Sequence, residues 1–259
     1  MSLNSSHSPD NSHHIDLLTA LDDEVTRLAF TLTEEQRDTF TRYHTLLLDG
    51  SDRASLTSVK EPKAIARRLF GESLALLTAL RSADLLPEGQ PIRIADIGPG
   101  GGFPGLPMRI VEPAIQLTLI ESQRRRCEFL EIAARELSLD AVDVINSRAE
   151  DAGRDPVLRE TFDIVVVRAV ASLAVLVEYA LPLLRVGGIL AAPKGSRAND
   201  ERTAAQTAIA ALGGIELDPL PLSLPSGVPP QHVIFVRRDG PLDDRYPRRA
   251  GVPSKRPLS

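Results

Sequence analysis

From Ile15 the apolar residues recur at spacings of three and four, with Leu17, Leu18, Leu21, Val25 and Leu28 on one stripe, the period of an amphipathic helix. Thr33-Glu34-Glu35-Gln36 is a capping box, so a second helix starts there. It carries Phe40, Tyr43, Leu46 and Leu47 and is expected to stop near Asp49-Gly50, with a polar connector from Ser51 to Val59. Ile65, Leu69, Leu76, Leu77 and Leu80 predict a third helix from about Glu61 to Ala83. Residues 15–90 therefore read as a helical segment, preceded by a polar, disordered lead-in over 1–14.

After the loop Leu85–Gly89 the period changes. Short runs rich in Ile, Val and Leu predict strands at 92–97, 116–121, 142–146, 163–168 and 187–192. Helical patterns lie between them, at 106–111, 122–137, 173–184 and 200–212. Residues 215–222 and 232–237 read as a closing hairpin. The strand at 163–168 is apolar throughout its middle, as expected of a central strand. Strands alternating with helices predict an α/β fold with a doubly wound, mostly parallel sheet over 91–238. Ligands of such sheets bind outside the carboxyl ends of the strands.

The chemistry is concentrated at those ends. The first strand finishes in Asp96 and runs into Gly98, Gly100, Gly101 and Gly102, then Phe103-Pro104-Gly105. Glycines there permit positive φ and close approach to a bound molecule. Glu121 ends the second strand, 25 positions after Asp96, where an acid suits the hydroxyls of a ribose. A carboxylate opening the next helix is the alternative for Glu121. Arg148-Ala149-Glu150 follows the third strand, Arg168 ends the fourth, and Pro193-Lys194-Gly195 follows the fifth. Residues 100–105 also match G-x-G-x-x-G, so a dinucleotide cofactor and an NAD(P)-dependent oxidoreductase stay open. An acid ahead of the turn would repel a pyrophosphate and would attract the sulfonium and amino groups of S-adenosylmethionine, which favours a methyl donor. The site is rich in Arg and Lys and lacks an obvious base. That suits a ring nitrogen such as guanine N7, which has a free lone pair and needs alignment only.

Composition narrows the setting. The single cysteine, Cys127, excludes an internal disulfide framework and fits a reducing cytoplasm. No apolar run has the length of a membrane span, and no signal peptide is expected. The lead-in histidines, His7, His13 and His14, have no cysteine or carboxylate cluster to complete a metal site, and no metal is expected. The net charge of −5 means that a nucleic-acid partner needs a local basic patch. The tail, residues 239–259, is rich in Pro and in Arg and Lys. It reads as an extended segment, either a solubilising tail or an arm along a phosphate backbone.

These pieces together resemble the RsmG (GidB) methyltransferases. They are Leu56-Thr-Ser-Val59, Asp96-Ile-Gly-Pro-Gly-Gly-Gly-Phe-Pro-Gly-Leu-Pro107, the Glu121 segment with Arg125-Arg126 and Phe129-Leu130, Ser147-Arg-Ala-Glu150, Arg168-Ala-Val-Ala-Ser172, Lys194-Gly195 and the tail from Arg245. The resemblance implies a Rossmann-like class I fold with an antiparallel last strand, S-adenosylmethionine as donor, and methylation of N7 of guanine 527 in 16S rRNA. It implies donor contacts at Gly98, Phe103, Ala149, Glu150 and Arg168, and Lys194 facing the RNA. Asp96, Gly100 and Glu121 join the donor side through their places at the strand ends. The expected partner is 16S rRNA in the small ribosomal subunit or its assembly intermediate, and the expected state is a cytoplasmic monomer. The sequence departs from the family pattern at Ser55 (usually Asn), at Leu69 and Glu72 (usually His and Asp) and at Gln231 (commonly basic). Those departures keep two alternatives, a paralogue with another RNA target and a non-catalytic RNA- or ribosome-binding protein.

Overall fold

The computed structural model describes residues 11–87 and 89–258. Helices α1 (Asn11–Arg27) and α2 (Glu34–Ala54) come first. A continuous helical stretch follows, made of α3 (Pro62–Ile65), a π-helical turn over Ala66–Gly71, and α4 (Glu72–Ser82). The alternating part contains β1 (Ile92–Ile97), α5 (Gly105–Val111), β2 (Ile115–Glu121), α6 (Arg124–Glu136), β3 (Val142–Asn146) and α7 (Ala149–Ala152). It continues through β4 (Phe162–Val166), α8 (Leu173–Ala180), β5 (Leu184–Lys194), α9 (Ala198–Ala211), β6 (Gly214–Glu216), β7 (Leu220–Pro221) and β8 (His232–Arg238), and ends in α10 (Val252–Lys255).

The sheet runs β3-β2-β1-β4-β5-β8-β6, with β7 also paired to β8. β1, β2, β3, β4 and β5 are mutually parallel, and β8 runs antiparallel to β5, β6 and β7. From β1 the chain steps outward through β2 to β3, then returns to the other side of β1 with β4. The strand order reverses between β1 and β4, and a crevice opens at such a reversal. Asp96 and the glycine turn leave β1 there, and Arg168 leaves β4.

Side-chain alternation divides the core in two. Ile92 and Ile94 of β1 join Leu117, Leu119, Ile164 and Val166 in packing against α1–α6. Ala95 and Ile97 join Ile120, Val165 and Val167 on the opposite face, against α7–α9 and Tyr246 of the tail. Among the described residues no helix is long and apolar enough to cross a membrane.

Beside the helix expected at 173–184 ending at Ala180 and the strand expected at 215–222 forming the short β6 and β7, the structure differs from the sequence expectation in three larger ways. Helix α1 starts at Asn11, so residues 11–14 of the expected lead-in are helical, while residues 1–10, with His7, lie outside the described residues. Helix α2 passes through Gly50 and ends at Ala54, capped by Ser55 in the left-handed region. A Cβ at Gly50 would lie 2.7 Å from the Phe129 ring, so this glycine serves the α2–α6 crossing rather than a helix end. The third difference is the tail. Tyr246, Pro247 and Pro253 are buried, and the segment lies against α7 and α8 instead of extending away.

Candidate active site

Burial dominates the end of β1. Asp96 is fully buried; its Oδ2 accepts the Gly105 N–H at 2.8 Å, while Oδ1 has no hydrogen-bond partner. Desolvation pushes its pKa up to about 7, against the opposing pull of the Gly105 N–H and the Arg168 charge. Gly98 (φ 67°) and Gly102 (φ 104°) turn the chain in the left-handed region. A Cβ on Gly102 would lie 2.5 Å from both the Tyr43 hydroxyl and Leu106, so the turn is pressed directly on α2. The Tyr43 hydroxyl donates to the Gly101 carbonyl at 2.5 Å. Phe103 stacks on Tyr43, ring centroids 5.6 Å apart, and lies 6.1 Å from Phe70. The N-terminal helices thus hold the turn through an aromatic stack.

Glu121 closes β2 beside that turn. Its Oε1 accepts the Gln123 N–H at 2.9 Å and its Oε2 accepts the Gly100 N–H at 3.3 Å. It therefore acts as a helix-opening carboxylate and also as a brace on the glycine turn. Its carbonyl accepts the Ser147 N–H at 3.1 Å and the Asn146 amide at 3.0 Å, which ties the end of β2 to the end of β3. Ala149 and Glu150 open α7 next in line. The Glu150 carboxylate is buried and turned onto the tail, where it accepts the Gly251 N–H at 2.7 Å.

Arg168 follows β4 and lies on the other side of the reversal point. Its guanidinium donates to the Arg68 carbonyl at 3.1 Å, lies 3.5 Å from a Glu72 carboxylate oxygen, and stands over the Phe103 ring at 5.4 Å from the centroid. Burial raises the Glu72 pKa, with Arg168 and Arg68 pulling it back. Lys194, at the end of β5, donates to the Ala171 carbonyl at 2.6 Å and pairs with Glu201 at 2.8 Å. Glu201 also accepts the Leu173 N–H at 2.9 Å. Lys194 and Glu201 together hold the loop 169–172, in which Ala169 takes a positive φ of 56°.

Arg168 and Lys194 line a cavity of about 700 Å³ with Arg68, Leu69, Arg197 and Gln231. Both carboxylates lining it, Glu72 and Glu201, are paired with cations. The glycine turn does not line this cavity, and Val170, which does, covers Gly98 with a methyl 2.9 Å from where a Cβ would be. The structure thus sorts the site residues into two groups. Asp96, Gly98, Gly100, Glu121 and Ala149 lie along the ends of β1, β2 and β3, while Arg168 and Lys194 lie in the cavity. Phe103, in the glycine turn, lies under the Arg168 guanidinium. The third glycine of the dinucleotide pattern, Gly105, donates its N–H to the buried Asp96 carboxylate, which places an acid directly beneath the turn.

The model of the family GidB, described as rRNA small subunit methyltransferase G, matches residues 36–222. This chain belongs to that family. The Ribosomal RNA small subunit methyltransferase G of Roseiflexus castenholzii is 42% identical over 240 residues, covering 91% of this chain and 99% of that protein. The protein of the same name from Desulfitobacterium hafniense is 40% identical over 232 residues, 90% and 93% of the two chains. Among solved structures, MtNAS in complex with MTA and tNA superposes with a TM-score of 0.52 at 15% identity, over 79% of this chain and 74% of its own. The [4+2]-cyclase SpnF gives 0.52 at 15% identity, over 82% and 98%. These two show the fold, a class I methyltransferase sheet, and the cyclase is a reminder that such a sheet does not fix the reaction.

Three of the four positions expected to depart from the family pattern fall together. Leu69, Glu72 and Gln231 all line the cavity that holds Arg168 and Lys194. Ser55 caps α2, and its carbonyl accepts from Arg126 at 3.2 Å. Several residues of the site were not legible as such. Tyr43 and Phe70 carry the pattern of ordinary core positions, and Glu201 sits in the first turn of a surface helix. Only the side-chain geometry separates them from scaffold.

Proposed function

We propose that this protein transfers a methyl group from S-adenosylmethionine to N7 of a guanine in 16S rRNA, guanine 527 by the family resemblance. The substrate is the small ribosomal subunit or an assembly intermediate in the cytoplasm. The observation that carries the reading is the charge balance of the cavity: Arg68, Arg168, Lys194 and Arg197 line it against two carboxylates, both ion-paired. Methylation of a ring nitrogen removes no proton, so the reaction needs no base there. When bound, the donor supplies an electrophilic methyl group on a sulfonium.

The residues fit that donor. Asp96 provides a buried carboxylate with one oxygen lacking a partner, which favours a cation nearby. Glu121 stands where ribose hydroxyls are held in related folds, and the turn is open to close approach at Gly100, where a Cβ would meet nothing nearer than 3.9 Å. Ala149, at the start of α7, flanks the adenine side. Arg168 sits between this group and the cavity, where its guanidinium can donate to guanine O6 and hold the base in line with the methyl group. Lys194 keeps the loop 169–172 in place and adds positive charge toward RNA phosphates. A second reading, a paralogue with a shifted target, rests on Leu69 and Glu72 standing in the cavity wall.

Calorimetry with S-adenosylhomocysteine and with NAD tests the donor half, and binding of NAD alone would overturn it. Comparing 7-methylguanosine in 16S rRNA from cells with and without the gene tests the acceptor half. Loss of that nucleoside with the gene is expected, and an unchanged level would overturn the assignment.

A further inference from the structure

The tail binds the molecule at one place above all. Helix α7 has only four residues, too few to be stable alone. Tail contacts hold it at both ends. At its start, Glu150 accepts the Gly251 N–H at 2.7 Å, presented by a left-handed φ of 79°. At its end, the Arg159 guanidinium donates to the Gly153 carbonyl at 2.9 Å and to the Tyr246 carbonyl at 2.8 Å. Pro247 lies under Gly153, 3.0 Å from where a Cβ would stand. Arg248 anchors the whole segment: its backbone N–H and guanidinium make four hydrogen bonds of 2.6–3.1 Å with the fully buried Glu178 of α8.

The other end of this chain of contacts is the donor side of the site. Ser147, two residues before α7, donates to the Glu121 carbonyl, and Glu121 braces the glycine turn at Gly100. We infer that residues 246–251 act as a clamp that positions α7, and with it the donor pocket, rather than as an arm laid along RNA. The inference rests on the donor reading proposed for this site. Glu150 is then a positioning residue: its carboxylate holds the tail, and its backbone and Ala149 form the pocket edge. Two of the tail's basic residues, Arg245 and Arg248, are spent on Asp243 and Glu178.

The test uses the full-length protein and three variants. In Glu150→Ala the acceptor for the Gly251 N–H is gone. In Glu150→Gln an oxygen acceptor remains and only the charge is lost. In Gly251→Ala the added methyl meets no atom within 4 Å, so the fold is retained, but the left-handed turn is strained. S-adenosylhomocysteine should bind about tenfold more weakly to Glu150→Ala and about fivefold more weakly to Gly251→Ala, with Glu150→Gln within about twofold of the parent. KM for the RNA and its salt dependence should be unchanged in all three. Parent-like donor affinity in both Glu150→Ala and Gly251→Ala would overturn the clamp. So would equal losses in Glu150→Gln and Glu150→Ala, which would make Glu150 a direct ligand. Loss confined to RNA affinity, with a shallower salt slope, would return the tail to the role of an arm. If the parent protein binds no S-adenosylhomocysteine, the donor reading itself fails and the clamp with it.

Discussion

Two arginine–glutamate pairs divide this molecule. Arg168 meets Glu72 through one contact of 3.5 Å and shares its charge with a carbonyl and an aromatic face. Arg248 grips Glu178 through four hydrogen bonds, and that carboxylate is fully buried. Both arginines reach across about 70 to 100 positions of sequence, and both link a loop to a helix. The difference lies in how the charges are satisfied. A bidentate pair with a buried acid is locked, because releasing either partner strands a charge in low dielectric. A longer, single contact at a cavity wall is more easily exchanged for a ligand than a bidentate one. The first pair therefore belongs to the chemistry and the second to the frame that supports it.

Arg168→Ala should have the largest effect. Transfer should fall by about 100-fold or more, in line with removal of one charge-stabilising donor, with donor affinity little changed. Single-turnover kinetics beside calorimetry measures both; equal losses in both would make Arg168 a donor ligand only. Arg248→Ala should instead lower stability, by about 3 kcal/mol, because Glu178 is left buried and unpaired. Urea unfolding checks this. A stable Arg248→Ala protein together with a strongly destabilised Arg168→Ala protein would reverse the comparison.

A further effect, spread over pH rather than seen in one variant, comes from Asp96, whose charge Arg168 helps to hold. Its pKa is pushed up from 3.8 to about 7 in the folded protein. The folded state then keeps a proton that the unfolded chain releases, so this group's stabilisation is complete below about pH 4 and is lost as pH rises through about 7. Unfolding free energy of the ligand-free protein should fall across that window by at most about 1.4 kcal/mol per pH unit. Asp96→Asn should flatten the slope; an unchanged slope would mean that Asp96 is ionised throughout.

Much of this was legible in the sequence because periodicity and strand-end chemistry are local. The capping box at Thr33–Gln36 forms with both reciprocal hydrogen bonds. The alternation of strands and helices set the sheet class, and the strand-end positions placed Asp96 and Arg168 on either side of the β1–β4 reversal, while Glu150 turns onto the tail. What escaped was set by contacts distant in sequence. Gly50 looks like a helix stop until Phe129 is seen against it. The tail looks extended because its prolines and charges suit solvent, and only the buried Glu178 shows why it folds back. Glu178 itself lies in an apolar helical pattern, with nothing local to say that its partner is 70 residues away. The tie between Lys194 and the loop 169–172, through Glu201, is hidden for the same reason.

The central claim is methyl transfer to guanine N7 in 16S rRNA. Its most direct test is incubation of the purified protein with methyl-labelled S-adenosylmethionine and with small subunits, or their 16S rRNA, from cells lacking the gene. Nuclease digestion and nucleoside separation then locate the label. The account predicts label in 7-methylguanosine, mapped to a single site at guanine 527, and its absence with Arg168→Ala. Label in any other nucleoside, or no transfer to either substrate by a protein that binds the donor, would contradict it.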